Sequence, residues 1–280
     1  MQMVQRTRIF TLLVFAACAV LSDVSIARAV EVQWLGHATT RIVTDSGKVI
    51  IIDPYLTINP KAPLKYRDLK ALGPVDLILV THGHGDHSAD LLPLAKLTGA
   101  KVIAPYEMIN NLLAMGALDG SRVFSINKGG FVQPFGREVK VHMVPAEHSS
   151  SVDLKALGYM DWLKNPLRHV AGGEAVGYVI EFKNGFTLYH TGDTAVYGDM
   201  ALVRELFAPD LVLICIGGTF TMGPESAAFA IDRLLKPKQV IPIHYGTYPV
   251  VNRTPEEFIK ALGDSPVEVL VPKPGETRKF

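Results

Sequence analysis

The chain is short of cysteine, of clustered charge and of long apolar runs, and each shortage excludes something. Cys18 and Cys215 are the only cysteines in 280 residues, too few for a disulfide-stapled scaffold. Lysine and arginine number 28 against 27 aspartates and glutamates, and no basic run occurs. Nucleic acid is therefore excluded as a main partner, because phosphate backbones need clustered cations. There is no internal repeat, low-complexity tract or linker, and no G-x-S-x-G turn to present a serine nucleophile.

The N-terminus stands apart from the rest. Arg6 and Arg8 form a basic start, Ile9 to Leu21 is almost wholly apolar, and Ala27-Arg28-Ala29 supplies small residues in an A-x-A pattern. This predicts a secretory signal peptide over residues 1–29, cleaved after Ala29, which places the mature protein in the periplasm or outside the cell. The apolar run falls short of the roughly 20 residues that a membrane span needs, so no stable span is expected after cleavage. An uncleaved anchor, or a lipoprotein anchored at Cys18 in Phe15-Ala16-Ala17-Cys18, is the alternative. Removing residues 1–29 takes away Arg6, Arg8, Arg28 and Asp23 and leaves 25 basic and 26 acidic residues. Cys215 then remains alone in the apolar run Leu211 to Ile216 and reads as a small buried hydrophobe. Residues 30–280 are enough for one large α/β domain.

Within that domain, Asp76-Leu77-Ile78-Leu79-Val80 reads as a buried strand and Ala89 to Thr98 as a helix. Between them lies Thr81-His82-Gly83-His84-Gly85-Asp86-His87. Three imidazoles and a carboxylate fall in six residues, and two glycines let the backbone turn so that the side chains converge. Imidazole and carboxylate together suit a borderline divalent ion such as zinc. Other strands are predicted over Glu31–Leu35, Thr39–Val43, Lys48–Ile52, Lys101–Ala104, near Val123, and over Glu138–Pro145, Val176–Phe182, Phe186–Tyr189, Leu211–Ile216, Val240–Ile243 and Val267–Val271. Asp45-Ser46-Gly47 and Asn184-Gly185 are hairpin turns. Helices are predicted from Pro105 to Met115, Met200 to Leu206, Pro224 to Leu235 and from Pro255, with proline favoured at the first helical position. Asp153 to Leu167 carries seven apolar residues and reads as an amphipathic segment beside the site. His82, His84, Asp86, His87, His148, Asp193 and His244 all follow predicted strand ends, where residues distant in sequence can meet.

The motif resembles the metal signature of the metallo-β-lactamase superfamily. Trp34-Leu35-Gly36-His37-Ala38-Thr39, Ile52-Asp53-Pro54, Glu147-His148-Ser149-Ser150, Thr191-Gly192-Asp193-Thr194, the stretch Gly217 to Glu225, and Ile241-Pro242-Ile243-His244-Tyr245 follow in the family's order. The set is similar to a branch of metal-dependent hydrolases that includes ascorbate-phosphate lactonase-like proteins, and it covers the chain from about Val30 onward. Periodicity alone gives α/β. The resemblance implies a four-layer αββα sandwich, two mixed β-sheets flanked by helices. It also implies two divalent metal ions, zinc by default with manganese as the alternative. His82, His84 and His148 would hold the first ion, Asp86, His87 and His244 the second, and Asp193 would bridge them.

The expected activity is that of a secreted binuclear hydrolase in which a metal-bridging hydroxide attacks an ester, a lactone or a phosphodiester. A β-lactam or an N-acyl-phospholipid is the alternative bond, and a non-catalytic metal-binding protein the alternative class. Asp86 is expected to orient the nucleophile, His37 to contact substrate, and Tyr245 to donate to a developing oxyanion. Asp53 is a candidate for holding a ligating histidine. Lys61, Lys65, Arg67, Lys128, Lys164 and Arg168 are candidates for anchoring a phosphate. The partners implied are a small-molecule or lipid-like substrate and, in some forms, a second copy of the chain.

Overall fold

The computed structural model describes residues 29–158 and 168–280. Two mixed sheets form the frame. One has six strands in the order Thr277–Lys279, Glu31–Trp34, Thr40–Val43, Val49–Ile52, Leu77–Leu79, Lys101–Ile103. Its first three pairings are antiparallel and its last two parallel. The other has seven, in the order Glu268–Val269, Gln239–Ile243, Leu211–Cys215, Thr187–His190, Val176–Phe182, Val139–Pro145, Phe131–Val132. Here the first three pairings are parallel and the rest antiparallel.

The layering follows from how the continuous apolar strands divide. Successive strand residues point to opposite faces, and a strand covered on both faces needs no polar alternation. Ile50, Ile52, Leu77 and Leu79 face inward and join Val141, Tyr178, Leu213 and Ile241 of the other sheet in a central core. Their neighbours Ile51, Ile78 and Val80 face outward, against the helices Leu91–Thr98 and Tyr106–Ala114. On the far side, Val212, Ile214 and Val240 pack under Met200–Phe207, Pro224–Leu235 and Pro255–Leu262. Helix, sheet, sheet, helix is the αββα order.

The helix ends are chemically explicit. Thr254 and Glu257 form a reciprocal capping box with Pro255 at the first helical position. Gly99 closes Leu91–Thr98 in the left-handed conformation.

Four expectations change. A separate helical turn over Gly85–Ser88 lies within the motif, ahead of the helix Leu91–Thr98. Asp86 and His87 therefore project from helical backbone, whereas the other five candidates follow strand ends. The strand near Val123 reduces to a single bridge with Val102. The described part of the stretch after His148 is a two-stranded ribbon, Ser151–Asp153 with His169–Ala171, and Tyr159 to Leu167 lie outside the described residues. So does the proposed signal peptide, apart from Ala29. Finally, Thr277–Lys279 adds an edge strand against Glu31–Gln33. Its charged sequence gives no alternation to read. Among the described residues no helix is long and apolar enough to cross a membrane.

Candidate metal centre

The strand ends of both sheets open on one edge, and the loops leaving them carry the polar residues. His37 follows Glu31–Trp34, Asp53 follows Val49–Ile52, and His82 and His84 follow Leu77–Leu79. From the second sheet, His148 follows Val139–Pro145, Asp193 follows Thr187–His190, and His244 follows Gln239–Ile243. His37, Asp53 and His244 have φ of 55°, 50° and 56°. Non-glycine residues seldom adopt this conformation, and such strain concentrates at functional sites. The His244 amide bonds the His37 carbonyl at 2.8 Å, which ties the two loops together. A Cβ on Gly217 would collide with the His244 carbonyl oxygen, one on Gly83 would lie 2.7 Å from that of Ser151, and one on Gly192 would lie 2.9 Å from the Thr81 Cβ. Glycine at these positions lets the site's loops close on one another.

The donor atoms form three overlapping groups, each spanning no more than 4.8 Å: His82, His84 and His148; His82, His87 and Asp193; His37, Asp86, His87 and His244. Asp193 lies at their meeting point. Its Oδ2 is 3.0 Å from His244 Nε2, 3.3 Å from His87 Nε2, 3.7 Å from His148 Nε2 and 4.0 Å from His82 Nε2.

Three of the rings are oriented from behind. His87 Nδ1 donates to Asp53 Oδ2 at 2.8 Å, and that buried carboxylate also accepts from the Thr81 amide and hydroxyl at 2.7 and 2.8 Å. Thr81 Oγ1 lies 3.1 Å from His82 Nδ1. His37 Nδ1 lies 3.0 Å from Thr247 Oγ1, and Nε2 lies 3.0 Å from Asp86 Oδ2. The Asp86 carboxylate can only accept, so His37 carries its proton on Nε2 and takes the threonine hydroxyl proton at Nδ1.

The electrostatics match a site built for cations. Burial, aided by the neighbouring His244, lowers His37 to about 4. Burial also holds His82 well below the ordinary imidazole range and lowers His84 and His148. Burial opposes a charge on His87 too, but Asp193 and Asp53 override it and raise the ring well above its usual value. Burial likewise opposes ionisation of Asp193, and His244 and His87 override it. Asp86 is held low chiefly by its His37 hydrogen bond, again against burial. Neutral His82, His84 and His148 and ionised Asp86 and Asp193 are in the protonation states that ligate metals, whereas His87, which its two carboxylates hold protonated, would bind an ion by giving up its proton.

The fit to metal also shows in what is left unsatisfied. His87 Nε2, Asp193 Oδ1 and both ring nitrogens of His244 are buried without a hydrogen-bond partner. Buried polar atoms are rarely left so, and two of them, His87 Nε2 and His244 Nε2, face the Asp193 carboxylate at 3.3 and 3.0 Å. A family model described as the beta-lactamase superfamily domain matches residues 48–245. The chain belongs to the metallo-β-lactamase superfamily.

Its relatives there are metal-dependent hydrolases, as is this superfamily member. A UPF0173 metal-dependent hydrolase of Cupriavidus taiwanensis is 49% identical over 257 residues, 89% of this chain and 86% of its own length. One from Thermodesulfovibrio yellowstonii is 40% identical over 273 residues, 96% of this chain and 98% of its own. Among solved structures, Igni18, a metallo hydrolase from the hyperthermophilic archaeon Ignicoccus hospitalis, is 32% identical with a TM-score of 0.75, covering 90% of this chain and 98% of that one.

The remaining expectations divide. Asp53 does hold a site histidine, by the bond to His87. Tyr245 is a correction: its ring stacks on Trp34, with centroids 5.2 Å apart, and lines a separate cavity with Lys61 and Lys273. The residue after His244 points away from it, because Tyr245 is taken up by packing between the central and outer cores. Three residues on, Tyr248 lines the histidine cavity instead, its hydroxyl paired with that of buried Tyr55. Sequence reasoning passed over Tyr248, although its place in the loop after His244 was a usable signal. His190 is structural, bonded to the Ala38 carbonyl and the Gly192 amide.

Proposed function

We propose that the protein is a binuclear metal-dependent hydrolase acting on an ester, a lactone or a phosphodiester. The observation that carries this reading is the convergence of seven side chains in three overlapping groups of donor atoms, three of which, His87, Asp193 and His244, carry buried atoms with no hydrogen-bond partner. His82, His84 and His148 would hold one ion; Asp86, His87 and His244 the other; Asp193 Oδ2, within 4.0 Å of four imidazoles, is the bridging candidate. Zinc suits the imidazole-rich set, and manganese is the alternative because of the carboxylates. When bound, such ions supply a water-derived nucleophile near neutral pH and polarise the group under attack.

The chain's own residues do the rest. Thr81 and Asp53 fix the rings of His82 and His87, so that the nitrogens facing the centre present lone pairs. Asp86 Oδ2, partly open to the cavity and bonded to His37 Nε2, is placed to accept the proton released by the attacking water. Thr247 behind His37 fixes the tautomer that makes this pairing work.

We further propose that residues 1–29 direct the chain to the periplasm and are removed there, leaving residues 30–280 as the enzyme. The basic start, apolar run and A-x-A pattern support this, and N-terminal sequencing of protein recovered from the periplasm tests it. The near-balanced charge supports a small-molecule or lipid-like substrate, not nucleic acid.

The test of the activity is metal analysis of the purified protein, paired with hydrolysis of ester, lactone, phosphodiester and β-lactam substrates by wild type, His84→Ala and Asp193→Ala. About two ions per chain and loss of turnover in both variants are expected. One ion or none, with turnover unchanged by either substitution, would sink the proposal.

A further inference from the structure

The cavity over the histidines encloses about 350 Å³ and has two chemically different ends. Its floor is polar, formed by the residues of the metal centre. Its outer wall is Phe220, Tyr248, Val250 and Val251. Phe220 is 60% and Val250 51% exposed, and apolar surface gathered at the mouth of a reactive cavity marks a place where something apolar binds.

The backbone is built to hold these side chains there. Thr219 has φ of 59° immediately after Gly218 at 72°, and the Phe220 amide turns back onto the Gly218 carbonyl at 2.6 Å. A β-branched residue at positive φ persists only where the surroundings over-determine it, and what this turn achieves is to project Phe220 outward. Val250 rides on the single helical turn Pro249–Val251, pinned by buried Val251.

Charge gives the second, independent observation. Of the basic residues that might anchor a phosphate, Lys128 pairs with Glu174 and Arg168 with Asp153. Arg67 donates to the Pro60 carbonyl, Lys65 lies over the Tyr66 ring, and Lys61 lines the Trp34–Tyr245 cavity. Lys164 lies outside the described residues. Among the described residues, no lysine or arginine lines the histidine cavity. The polar group of the outer wall is the neutral hydroxyl of Tyr248, whose ring stands edge-on to His37 at 6.0 Å and whose oxygen is held by Tyr55.

We infer that the substrate is an uncharged carbonyl compound, an ester or a lactone, whose apolar substituent lies against Phe220 and Val250 and whose oxygen takes a hydrogen bond from Tyr248. This rests on the hydrolase reading above and narrows it. An anionic diester would bring its charge past an apolar wall and meet, among the described residues, no lysine or arginine in this cavity, which leaves its charge to the bound ions alone.

The experiment uses the full chain reconstituted with zinc or manganese. Its substrates are p-nitrophenyl acetate, butyrate and hexanoate, γ-lactones of matching chain length, and bis(p-nitrophenyl) phosphate. In wild type, kcat/KM rises roughly threefold for each methylene that reaches the wall. Phe220→Ser and Val250→Ser each flatten that slope, and Tyr248→Phe lowers kcat/KM about threefold to tenfold at every chain length. Calorimetric titration with acetamide, butyramide and hexanamide reads the same slope without turnover, and Phe220→Ser removes it there too. A flat slope in wild type, or a phosphodiester preferred over the hexanoate, overturns the substrate class while metal-dependent turnover leaves the hydrolase reading standing. No turnover of any substrate with both ions bound overturns the hydrolase reading. The amide titration then decides the wall alone, and binding independent of chain length overturns it.

Discussion

The two ends of the histidine cavity are assembled by opposite means. At the metal end three of the rings are backed by a hydrogen bond from a buried partner: Asp53 behind His87, Thr81 behind His82, Thr247 behind His37. At the rim, Phe220 and Val250 are largely exposed and pack on little. The first end is rigid because misplacing a ligand by a fraction of an ångström loses an ion. The second is loosely committed because its surface is completed only by what binds. A fold built this way can therefore change substrates by changing rim positions such as Phe220 and Val250 without disturbing the strand ends.

The contrast can be broken at four places. The largest effect belongs to Gly217→Ala. The new methyl would collide with the His244 carbonyl oxygen, and neither backbone can yield without moving a ligand. A loss of about 3 kcal/mol or more is expected, read as a fall in Tm of roughly 6–12 °C. An unchanged Tm would mean that the close approach is not part of the fold. Next comes Asp53→Asn. Asparagine tolerates the positive φ of this position, so the backbone survives while the carboxylate that holds His87 is lost. Metal affinity should fall about 10–100-fold in competition with a chelator, with little change in secondary structure by circular dichroism.

A smaller effect concerns the wall behind the metal end. Cys215 is fully buried beneath Asp193, with Sγ 3.5 Å from the Thr194 carbonyl. Burial, together with the Asp193 charge, pushes its thiol from 9.0 to about 12. The folded chain therefore keeps a proton that the unfolded chain releases. Stability from this group is complete below the unfolded value and is lost as pH rises toward the folded one. Tm should fall between pH 9 and 12 more steeply in wild type than in Cys215→Ala, and iodoacetamide at pH 8 should leave the native thiol unmodified. The smallest effect is at the rim. Phe220→Ser should change stability by no more than about 0.5 kcal/mol, so a Tm displaced by more than roughly 2 °C would show that the rim is part of the frame after all.

Much of the metal end was legible in the sequence because its residues cluster. His82 to His87 lie in one turn, and the others stand directly after apolar runs whose length and β-branching mark them as strands. The double coverage of those strands was legible too, since Ile50-Ile51-Ile52 leaves no polar face. The rim was not. Tyr55 and Tyr248 are 193 positions apart, and nothing local in either tyrosine announces the other. Tyr245 and Tyr248 are equally plausible by position, and only the packing of Trp34 decides which faces the site. The ribbon of Ser151–Asp153 and His169–Ala171 was hidden by its three-residue strands and by the apolar residues between them, which mimic an amphipathic helix. Pro224 to Leu235 reads as one helix, yet its second half, Ala230–Leu235, is wound with the wider π pitch, a change that no residue type in that stretch signals.

The most direct measurement is anomalous diffraction from crystals of the full chain after reconstitution with zinc or manganese, collected at the edge of the added metal. Two peaks about 3.5–4 Å apart are expected, one among His82, His84 and His148, the other among Asp86, His87 and His244, with Asp193 between them. A single peak, or peaks that leave either group of side chains without an ion, would contradict the binuclear centre.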